Sequence, residues 1–253
     1  LKVKYWQSKN LEVTFFGNEL LREQIDSLGI IRKYNFIELK DTGRIKGKVH
    51  LIFEGLRRNF LALPYIRRFK NKFDVVYSIS SVLDLMIFPY ILSKFDKKIL
   101  RVAVFDNIVP ITDPGNRFIR FLAWVFFQIS IVLLKSADRI FTGSEDLENF
   151  LIKKGINKEK IIERGQAVRN DLIKKAKKNP KYDDIDALFI GRINETKGIY
   201  DMLDVLRLVK QKYPNFHLAI IGTGEEAIMR RFKEKIKEMK LENNIKFLGY
   251  VSE

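Results

Sequence analysis

Two basic side chains lie at a predicted junction of strand and helix in the segment IDALFIGRINETKG, residues 185–198. The apolar residues predict a buried strand that ends at Gly191, followed at once by Arg192 and then by Lys197 and Gly198 at the start of a helix. Parallel sheets bind ligands at the carboxyl ends of their strands, and a helix N-terminus attracts anions through its unpaired N–H groups and its dipole. The segment therefore predicts an anion site; the alternative is a loop with two solvated cations.

A second junction of this kind, AIIGTGEE at residues 219–226, places glycines between another predicted strand and helix. Gly222 and Gly224 permit positive φ and close approach of a ligand to the backbone. The turn is no dinucleotide-binding fingerprint, because Ala227 stands where the third glycine of G-x-G-x-x-G belongs. A tight turn without a ligand is the alternative interpretation.

The elements that position these turns follow from hydrophobic patterning. Short apolar runs rich in β-branched and aromatic residues predict strands at 11–16, 74–80, 98–105, 137–144, 185–191, 217–222 and 244–249. Amphipathic stretches between them predict helices, clearest at 145–154, 197–212 and 225–240. Alternation of strand and helix is typical of an α/β fold with a parallel sheet.

The polar stretch KKAKKNPKYDDID, residues 174–186, divides two blocks with this alternation. We predict an amino-terminal domain over 1–173, a linker over 174–186 and a carboxyl-terminal domain over 187–253. The second domain has only three predicted strands, fewer than the roughly six of a doubly wound sheet, so we expect it to be incomplete. The opening residues contain neither an initiator Met nor a signal peptide, and we expect the chain to be an internal piece of a longer one.

Composition limits the classes of function. Apolar residues make up 46% of the 253-residue chain, enough for a folded core, and 47 Lys and Arg against 31 Asp and Glu give a formal charge of +16. Such a surface attracts phosphate, anionic lipid or nucleic acid. The absence of cysteine excludes disulfides, a thiolate nucleophile and Cys-ligated metal, and two histidines, His50 and His217, exclude a His-rich zinc site.

The segment EGLRRNFLALPYIRRFKNKF, residues 54–73, combines basic and aromatic side chains with one acid, Glu54. Its six cations are Arg57, Arg58, Arg67, Arg68, Lys70 and Lys72. This composition suits the interface of an anionic membrane, where each surface cation contributes on the order of 1 kcal/mol. The alternative is a solvated helix, divided at Pro64, whose aromatics turn into the core.

The most apolar segment, FIRFLAWVFFQISIVLL at 118–134, is 17 residues long and contains Arg120 and Gln128. A membrane span needs about 20 residues with few charges. We therefore predict a buried helix, with shallow membrane contact as the alternative.

The motifs above resemble those of family-4 glycosyltransferases. Residues 189–226 and 243–253 are similar to the start of that family's carboxyl-terminal domain, with its pattern of strand, G-R-x(4)-K-G, helix, strand, G-x-G, helix and F-x-G-x-V. Upstream, DVVYSISS, VFDNIVP and the stretch that begins ADRIFTGSE resemble family segments more loosely. The resemblance implies a GT-B architecture, in which two Rossmann-like domains face a cleft and the second holds a nucleotide-diphospho-sugar.

In that architecture Arg192 and Lys197 would bind the donor diphosphate and stabilise the negative charge on the leaving nucleotide, without a metal or other cofactor. Gly191 would let the diphosphate approach the backbone. The resemblance further assigns nucleotide contacts to Gly222, Gly224, Tyr250 and Val251.

The family's first-domain histidine, which lies near the transferred sugar, aligns with Asp106. An ionised carboxylate accepts hydrogen bonds from sugar hydroxyls but donates none, so this residue is a catalytic candidate of altered chemistry. The alternative is an aspartate that caps the loop after its strand.

The resemblance implies a retaining transferase that moves a sugar from its nucleotide donor to a lipid-linked or polysaccharide acceptor. We expect it on the cytoplasmic side, peripheral on the anionic inner membrane face. The family's glycine-rich loop and its E-x(7)-E pair do not occur in this sequence, so we expect the 253 residues to be weakly active or inactive alone. A synthase with a soluble acceptor is the first alternative, and a basic nucleic-acid-binding protein, which we do not expect because no base-stacking motif occurs, is the second.

Overall fold

A computed structural model describes residues 2–27, 34–40, 48–110, 117–164, 170–175, 177 and 180–251. The chain divides into two compact units, Leu1–Val168 and Arg169–Glu253. The predicted linker, 174–186, lies within the second unit, and Pro180–Tyr182 in it forms one turn of 3-10 helix.

The first unit alternates strands and helices. Its strands are β1 (Thr14–Gly17), β2 (Asn35–Glu38), β3 (Val75–Ser78), β4 (Leu100–Phe105), β5 (Arg139–Thr142) and β6 (Ile161–Glu163). Its helices are α1 (Lys2–Ser8), α2 (Glu19–Ser27), α3 (Lys48–Ala62), α4 (Tyr65–Phe69), α5 (Leu83–Phe95), α6 (Arg117–Lys135) and α7 (Glu145–Lys153). Strands β1 and β2 form one parallel sheet, and β3-β4-β5-β6 form a second one in that order, also parallel.

The register of the larger sheet sets the position of its carboxyl edge. Ser78 is paired with Ala103, and Phe105 with Thr142, so β3, β4 and β5 end close to one another. The residues that follow β3 and β4 are therefore neighbours at that edge, although they are far apart in the sequence.

Two hydrophobic clusters support the first unit. One covers the four-stranded sheet, where Phe105 of β4 packs with Phe127 of α6 and Phe150 of α7. The other joins the two-stranded sheet to α4 and α5 through Phe16 and Phe69, whose ring centroids are 5.0 Å apart. Aromatic residues thus hold the small sheet against the rest of the unit.

The second unit has three strands in the order β7-β8-β9, all parallel, with helices between them. Its elements are α8 (Asn170–Lys175), β7 (Ala187–Ile190), α9 (Ile199–Lys212), β8 (Leu218–Ile221), α10 (Glu226–Glu238) and β9 (Ile245–Gly249). The core contains buried residues of α9, β8 and α10, such as Leu203, Ile220 and Phe232. The amphipathic helix predicted at 225–240 contributes Phe232 and Ile236 to this core.

All seven predicted strands are present, and the predicted parallel arrangement is confirmed in both units. Two strands escaped the sequence analysis, β2 and β6, which have four and three residues. The predicted break at Pro64 is confirmed, since α3 ends at Ala62 and α4 begins at Tyr65.

The apolar helix differs from its prediction. We expected residues 118–134 to be buried, yet α6 buries only Phe127, Ser130, Ile131 and Leu134, all on one side. Its opposite side is exposed, with Phe118 at 67% and Val132 at 63% exposure. Within the described residues α6 is the one helix whose length and hydropathy would allow a membrane span.

Candidate functional site

The carboxyl edge of the second unit's sheet is built from three consecutive strand ends. The backbone N–H of Gly191, after β7, donates to Ile221 O at 3.0 Å, and the N–H of Gly222, after β8, donates to Gly249 O at 2.8 Å. The parallel ladder thus continues one residue past the strands. These hydrogen bonds place the turn after β7 beside the turn after β8, and both lie next to the end of β9.

Two glycines are required by this close approach. Gly222 has φ +139°, and a Cβ there would lie 1.9 Å from Gly191 O. At Gly224 a Cβ would lie 2.3 Å from Ile193 O, because the Ile193 N–H donates to Thr223 O at 2.9 Å. The glycines therefore bring the G-x-G turn into contact with the turn that carries Arg192.

Both predicted anion-binding cations are exposed. Arg192 is the second residue after β7, and Lys197 closes the 3-10 turn Glu195–Lys197 just before α9. Asn194 fixes this turn, since its Oδ1 accepts from Thr196 N at 2.9 Å and from Thr196 Oγ1 at 3.0 Å. A guanidinium and an ammonium in one short loop, beside a helix N-terminus, have the donors that a diphosphate requires.

The residues that follow β9 are exposed at the same edge of the sheet. Tyr250 and Val251 come directly after β9 and are 82% and 55% exposed. Gly249 precedes them with φ +69° and turns the chain at the strand end. An exposed aromatic ring next to the glycine turns has a free face on which a planar base could stack.

A hydroxyl and carboxylate cluster occupies the carboxyl edge of the first unit. Asp106, after β4, accepts from Ser80 Oγ at 3.2 Å through Oδ1 and at 3.3 Å through Oδ2, and Ser81 Oγ lies 3.5 Å from Oδ1. The two serines follow β3, the neighbouring strand. The cluster presents a carboxylate, itself exposed, that has lone pairs left for a polyhydroxyl ligand.

Sequence reasoning found Asp106 but not its serine partners. The signal was available, because Ser80 and Ser81 follow one predicted strand and Asp106 follows the next, and neighbouring parallel strands end at a common edge. Asn194 was missed too; an Asn before a short turn is a typical helix-capping residue.

The basic segment 54–73 is divided between two kinds of cation. Arg57 Nε lies 3.4 Å from Glu54 Oε1. Burial raises the pKa of Asp84, and the charge of Arg58 offsets part of that increase. The remaining cations, Arg67, Arg68, Lys70 and Lys72, are exposed and form no ion pair among the described residues. Tyr65, Phe69 and Phe73 lie in the aromatic core, whereas Phe60 is 72% exposed.

No group of three or more His, Asp or Glu side chains in the described ranges is placed to hold a metal ion. The candidate residues described above are two cations and two glycine turns in the second unit, and a Ser-Ser-Asp cluster in the first.

Residues 170–253 match the family model described as Glycosyl transferases group 1. An uncharacterized glycosyltransferase of Methanocaldococcus jannaschii is 28% identical over 211 residues, which cover 78% of this chain and 50% of that protein. The chain therefore spans half the length of this relative.

Solved structures share the fold. A glycosyltransferase from Rickettsia africae superimposes with a TM-score of 0.61 at 18% identity, over 98% of this chain and 62% of that one. Anabaena HepE, solved in complex with UDP and glucose, gives a TM-score of 0.59 at 14% identity, over 91% of this chain and 59% of its own. From these matches, the chain has the α/β fold of GT-B glycosyltransferases, and its residues 170–253 are similar to group 1 glycosyl transferases.

Proposed function

We propose that this protein is a retaining glycosyltransferase of family 4 that moves a hexosyl group from a nucleotide-diphospho-sugar to a lipid-linked or polysaccharide acceptor. The observation that carries the proposal is the pair Arg192 and Lys197, both exposed in the loop between β7 and α9, inside the region that matches group 1 glycosyl transferases. The UDP and glucose bound to Anabaena HepE support a donor of this class. Retention follows from the family resemblance.

The second unit binds the donor. When the bond between sugar and diphosphate breaks, negative charge collects on the leaving phosphate oxygens, and preorganised cations stabilise that charge. Arg192 covers two oxygens with its planar guanidinium and Lys197 covers a third with its ammonium, so no metal is required. Gly191, Gly222 and Gly224 keep side chains away from the nucleotide, which stacks against Tyr250 beside Val251.

The first unit binds hydroxyl groups of the sugar or acceptor at Asp106. Its carboxylate accepts hydrogen bonds, and the hydroxyls of Ser80 and Ser81 hold it in place. An ionised Asp does not donate a hydrogen bond to the sugar, as the family's histidine at this position can. Its role is therefore to orient the substrate.

A lipid-linked acceptor places the enzyme on the inner face of the cytoplasmic membrane. Four exposed cations, Arg67, Arg68, Lys70 and Lys72, provide attraction to anionic headgroups. The nearby exposed Phe60 adds an aromatic side chain suited to the interface.

Calorimetric titration of the chain with UDP and GDP tests the donor site. We expect Arg192→Ala and Lys197→Ala each to weaken binding about tenfold, equivalent to about 1.4 kcal/mol, because each removes charge-assisted hydrogen bonds to the diphosphate. Arg207→Ala and Lys212→Ala, which remove exposed cations from α9, are the matched controls and should bind like the wild type. Unchanged affinity in both Arg192→Ala and Lys197→Ala would refute the assignment.

A further inference from the structure

Helix α6 carries a row of exposed apolar side chains along nearly its whole length. Their spacing of three or four residues places them on one side of the helix, and the row consists of Phe118, Phe121, Val125, Ile129 and Val132. Four of them are 42 to 67% exposed, and Val125 is half-buried. A surface helix of a water-soluble domain normally has polar residues on this side. We call this row the α6 stripe.

The opposite side of α6 is fixed in the unit. Phe127, Ile131 and Leu134 belong to the core that covers the four-stranded sheet. At the end of the helix the buried Arg101 donates from Nη1 to Leu133 O at 2.8 Å and to Ser136 Oγ at 2.6 Å. Although α6 is long and apolar enough to span a membrane, crossing one would remove this core side from the sheet. The side of α6 that can contact a further apolar environment, such as a bilayer, is therefore the one that carries the α6 stripe.

Cations flank the stripe at both ends. Arg117 opens the helix, and Lys135 closes it beside Lys160, whose Nζ donates to Lys135 O at 3.2 Å. The helix contains no acidic residue. Its surface is thus an apolar strip between positive ends, on a chain of net charge +16.

A second exposed apolar row lies on α3, where Phe53, Leu56 and Phe60 again follow helical spacing, and it continues with Leu63 directly after the helix. These four side chains are 39 to 72% exposed. Both α3 and α6 pack against α5. The layer formed by these three helices therefore exposes apolar residues on two of its members.

We propose that α6 lies in the plane of an anionic bilayer with the α6 stripe inserted among the acyl chains. The positive charges at the helix ends favour an anionic bilayer over a second copy of the chain as the partner of the stripe. A symmetric contact through the stripe would bring the Arg117 and Lys135 ends of two strongly basic proteins together, whereas anionic headgroups neutralise them. Helices that lie in a membrane interface combine an apolar side rich in Trp, Phe and Leu with basic residues that reach the headgroups, and in α6 the basic residues at the helix ends have that position.

This inference goes beyond the proposed function, because insertion through α6 requires neither sugar transfer nor the basic segment 54–73. Electrostatic attraction holds a protein at the headgroups and weakens with salt, whereas an inserted apolar surface remains in the bilayer when salt is raised. The depth of α6 in the bilayer and the resistance of membrane binding to salt are therefore the properties to measure.

Trp124 is a natural probe of the stripe, since its ring stacks on Phe121 with centroids 6.3 Å apart. Trp6→Phe leaves Trp124 as the sole tryptophan of the chain. With vesicles of phosphatidylglycerol and phosphatidylcholine, we expect a blue shift of its emission and quenching by lipids brominated on the acyl chains. Both signals should persist at 0.5 M salt when salt is added after binding, about five times the concentration at which the Debye length is near 10 Å.

The triple variant Phe118→Ser, Phe121→Ser, Val132→Ser should lose at least tenfold in vesicle partitioning. Its matched control, Val205→Ser with Leu208→Ser, removes exposed apolar residues from α9 in the second unit and should partition like the wild type. UDP titration separates this result from the proposed function: stripe variants should keep the nucleotide affinity of the wild type, and Arg192→Ala should keep the Trp124 signals.

Two results would overturn the inference. The first is a Trp124 emission unchanged by vesicles, or unquenched by brominated chains while the protein is bound, which would restrict contact to the headgroups. The second is concentration-dependent dimerisation in sedimentation experiments that the triple variant abolishes, which would make a second copy the occupant. The quenching measurement uses the unsubstituted stripe, so it decides the question even if the triple variant does not fold.

Discussion

At the scale of single residues, the glycine turns hold the candidate donor site together. A side chain at Gly222 meets two obstacles: a φ of +139° that L-residues rarely adopt, and the carbonyl oxygen of Gly191, 1.9 Å from the Cβ position. The obstacle is backbone, paired through Gly191 N to Ile221 O, and cannot rotate away. The contact between the two loops therefore depends on the absence of a side chain.

We expect Gly222→Ala to destabilise the second unit by roughly 3 kcal/mol or more, since strained φ and overpacking each cost about 1 to 3 kcal/mol. Urea unfolding measures this free energy. Gly191→Ala is the control in the same unit, because its new Cβ would be 3.7 Å from the Phe189 ring, an ordinary contact, and should change stability by less than about 1 kcal/mol. Equal stability of the two variants would contradict the loop geometry.

Residue types and spacing were sufficient to name Arg192, Lys197 and the glycines as candidates, because these lie within a few positions of a strong strand signal. The steric requirement at Gly222 was not predictable, since it depends on the Gly191 carbonyl of another strand. The serines beside Asp106 were missed for a related reason: their proximity arises from strand pairing over a separation of about 25 residues.

At the scale of elements, a side chain of α3 completes the backbone pairing of α5. Pro89 lies inside α5 and has no N–H to donate. One turn earlier, the buried amide of Asn59 accepts from Phe88 N at 3.1 Å and donates to Asp84 O at 2.7 Å. Phe88 N–H and Asp84 C=O are the two groups that an unbroken helix would join, so the amide supports α5 where Pro89 interrupts its regular pairing.

Asn59→Leu keeps the size of this side chain but leaves the Phe88 N–H and the Asp84 carbonyl without the amide. Each buried unsatisfied group costs about 1 to 3 kcal/mol, so we expect a loss of roughly 3 kcal/mol in the free energy of unfolding. Asn149→Leu, at an exposed position of α7, is the matched control and should stay within about 0.5 kcal/mol of the wild type. A near-neutral Asn59→Leu would show that α5 does not depend on the amide.

Element type was well predicted where hydrophobic runs are long. Strand β6 has three residues, with Ile161 buried and the other two exposed, which is too short for a periodic signal. For α6, a run of 17 residues that contains Arg120 and Gln128 was judged too short and too polar for a membrane span, and burial was predicted instead. How much of a helix surface the neighbouring layer covers depends on the packing of α5, β4 and β5, which is not encoded in the helix itself.

At the scale of the whole molecule, the alternation of strand and helix predicted the α/β class and the parallel sheets, because it is a long-range pattern. The GT-B fold was implied by the family resemblance of the motifs. The net charge of +16 also follows from the sequence, but the distribution of the charges over the surface does not. The structure separates the six cations of segment 54–73 into two with an acidic neighbour, Arg57 near Glu54 and Arg58 near Asp84, and four exposed ones in 67–72 that form no ion pair among the described residues. This distinction makes local and overall electrostatics separable by experiment.

We expect the chain to co-sediment with anionic vesicles through these four cations, Arg67, Arg68, Lys70 and Lys72, and replacement of all four by Gln to weaken the initial binding at low salt at least tenfold. The reason is that each cation near an anionic surface contributes about 1 kcal/mol, within a Debye length of about 10 Å at 0.1 M salt. The control replaces two exposed Arg and two exposed Lys of α10 with Gln: Arg230, Arg231, Lys233 and Lys237.

Both variants lose four positive charges, so a general attraction of a basic protein to an anionic surface would weaken equally in the two. A local docking surface predicts a large loss in the 67–72 variant and a small one in the α10 variant. Equal losses would assign the attraction to net charge alone and contradict docking through segment 54–73. Because the α6 stripe acts through apolar contact, the membrane binding that remains in the 67–72 variant should resist salt. The variant should bind vesicles more slowly than the wild type, since charge mainly accelerates the encounter of protein and membrane.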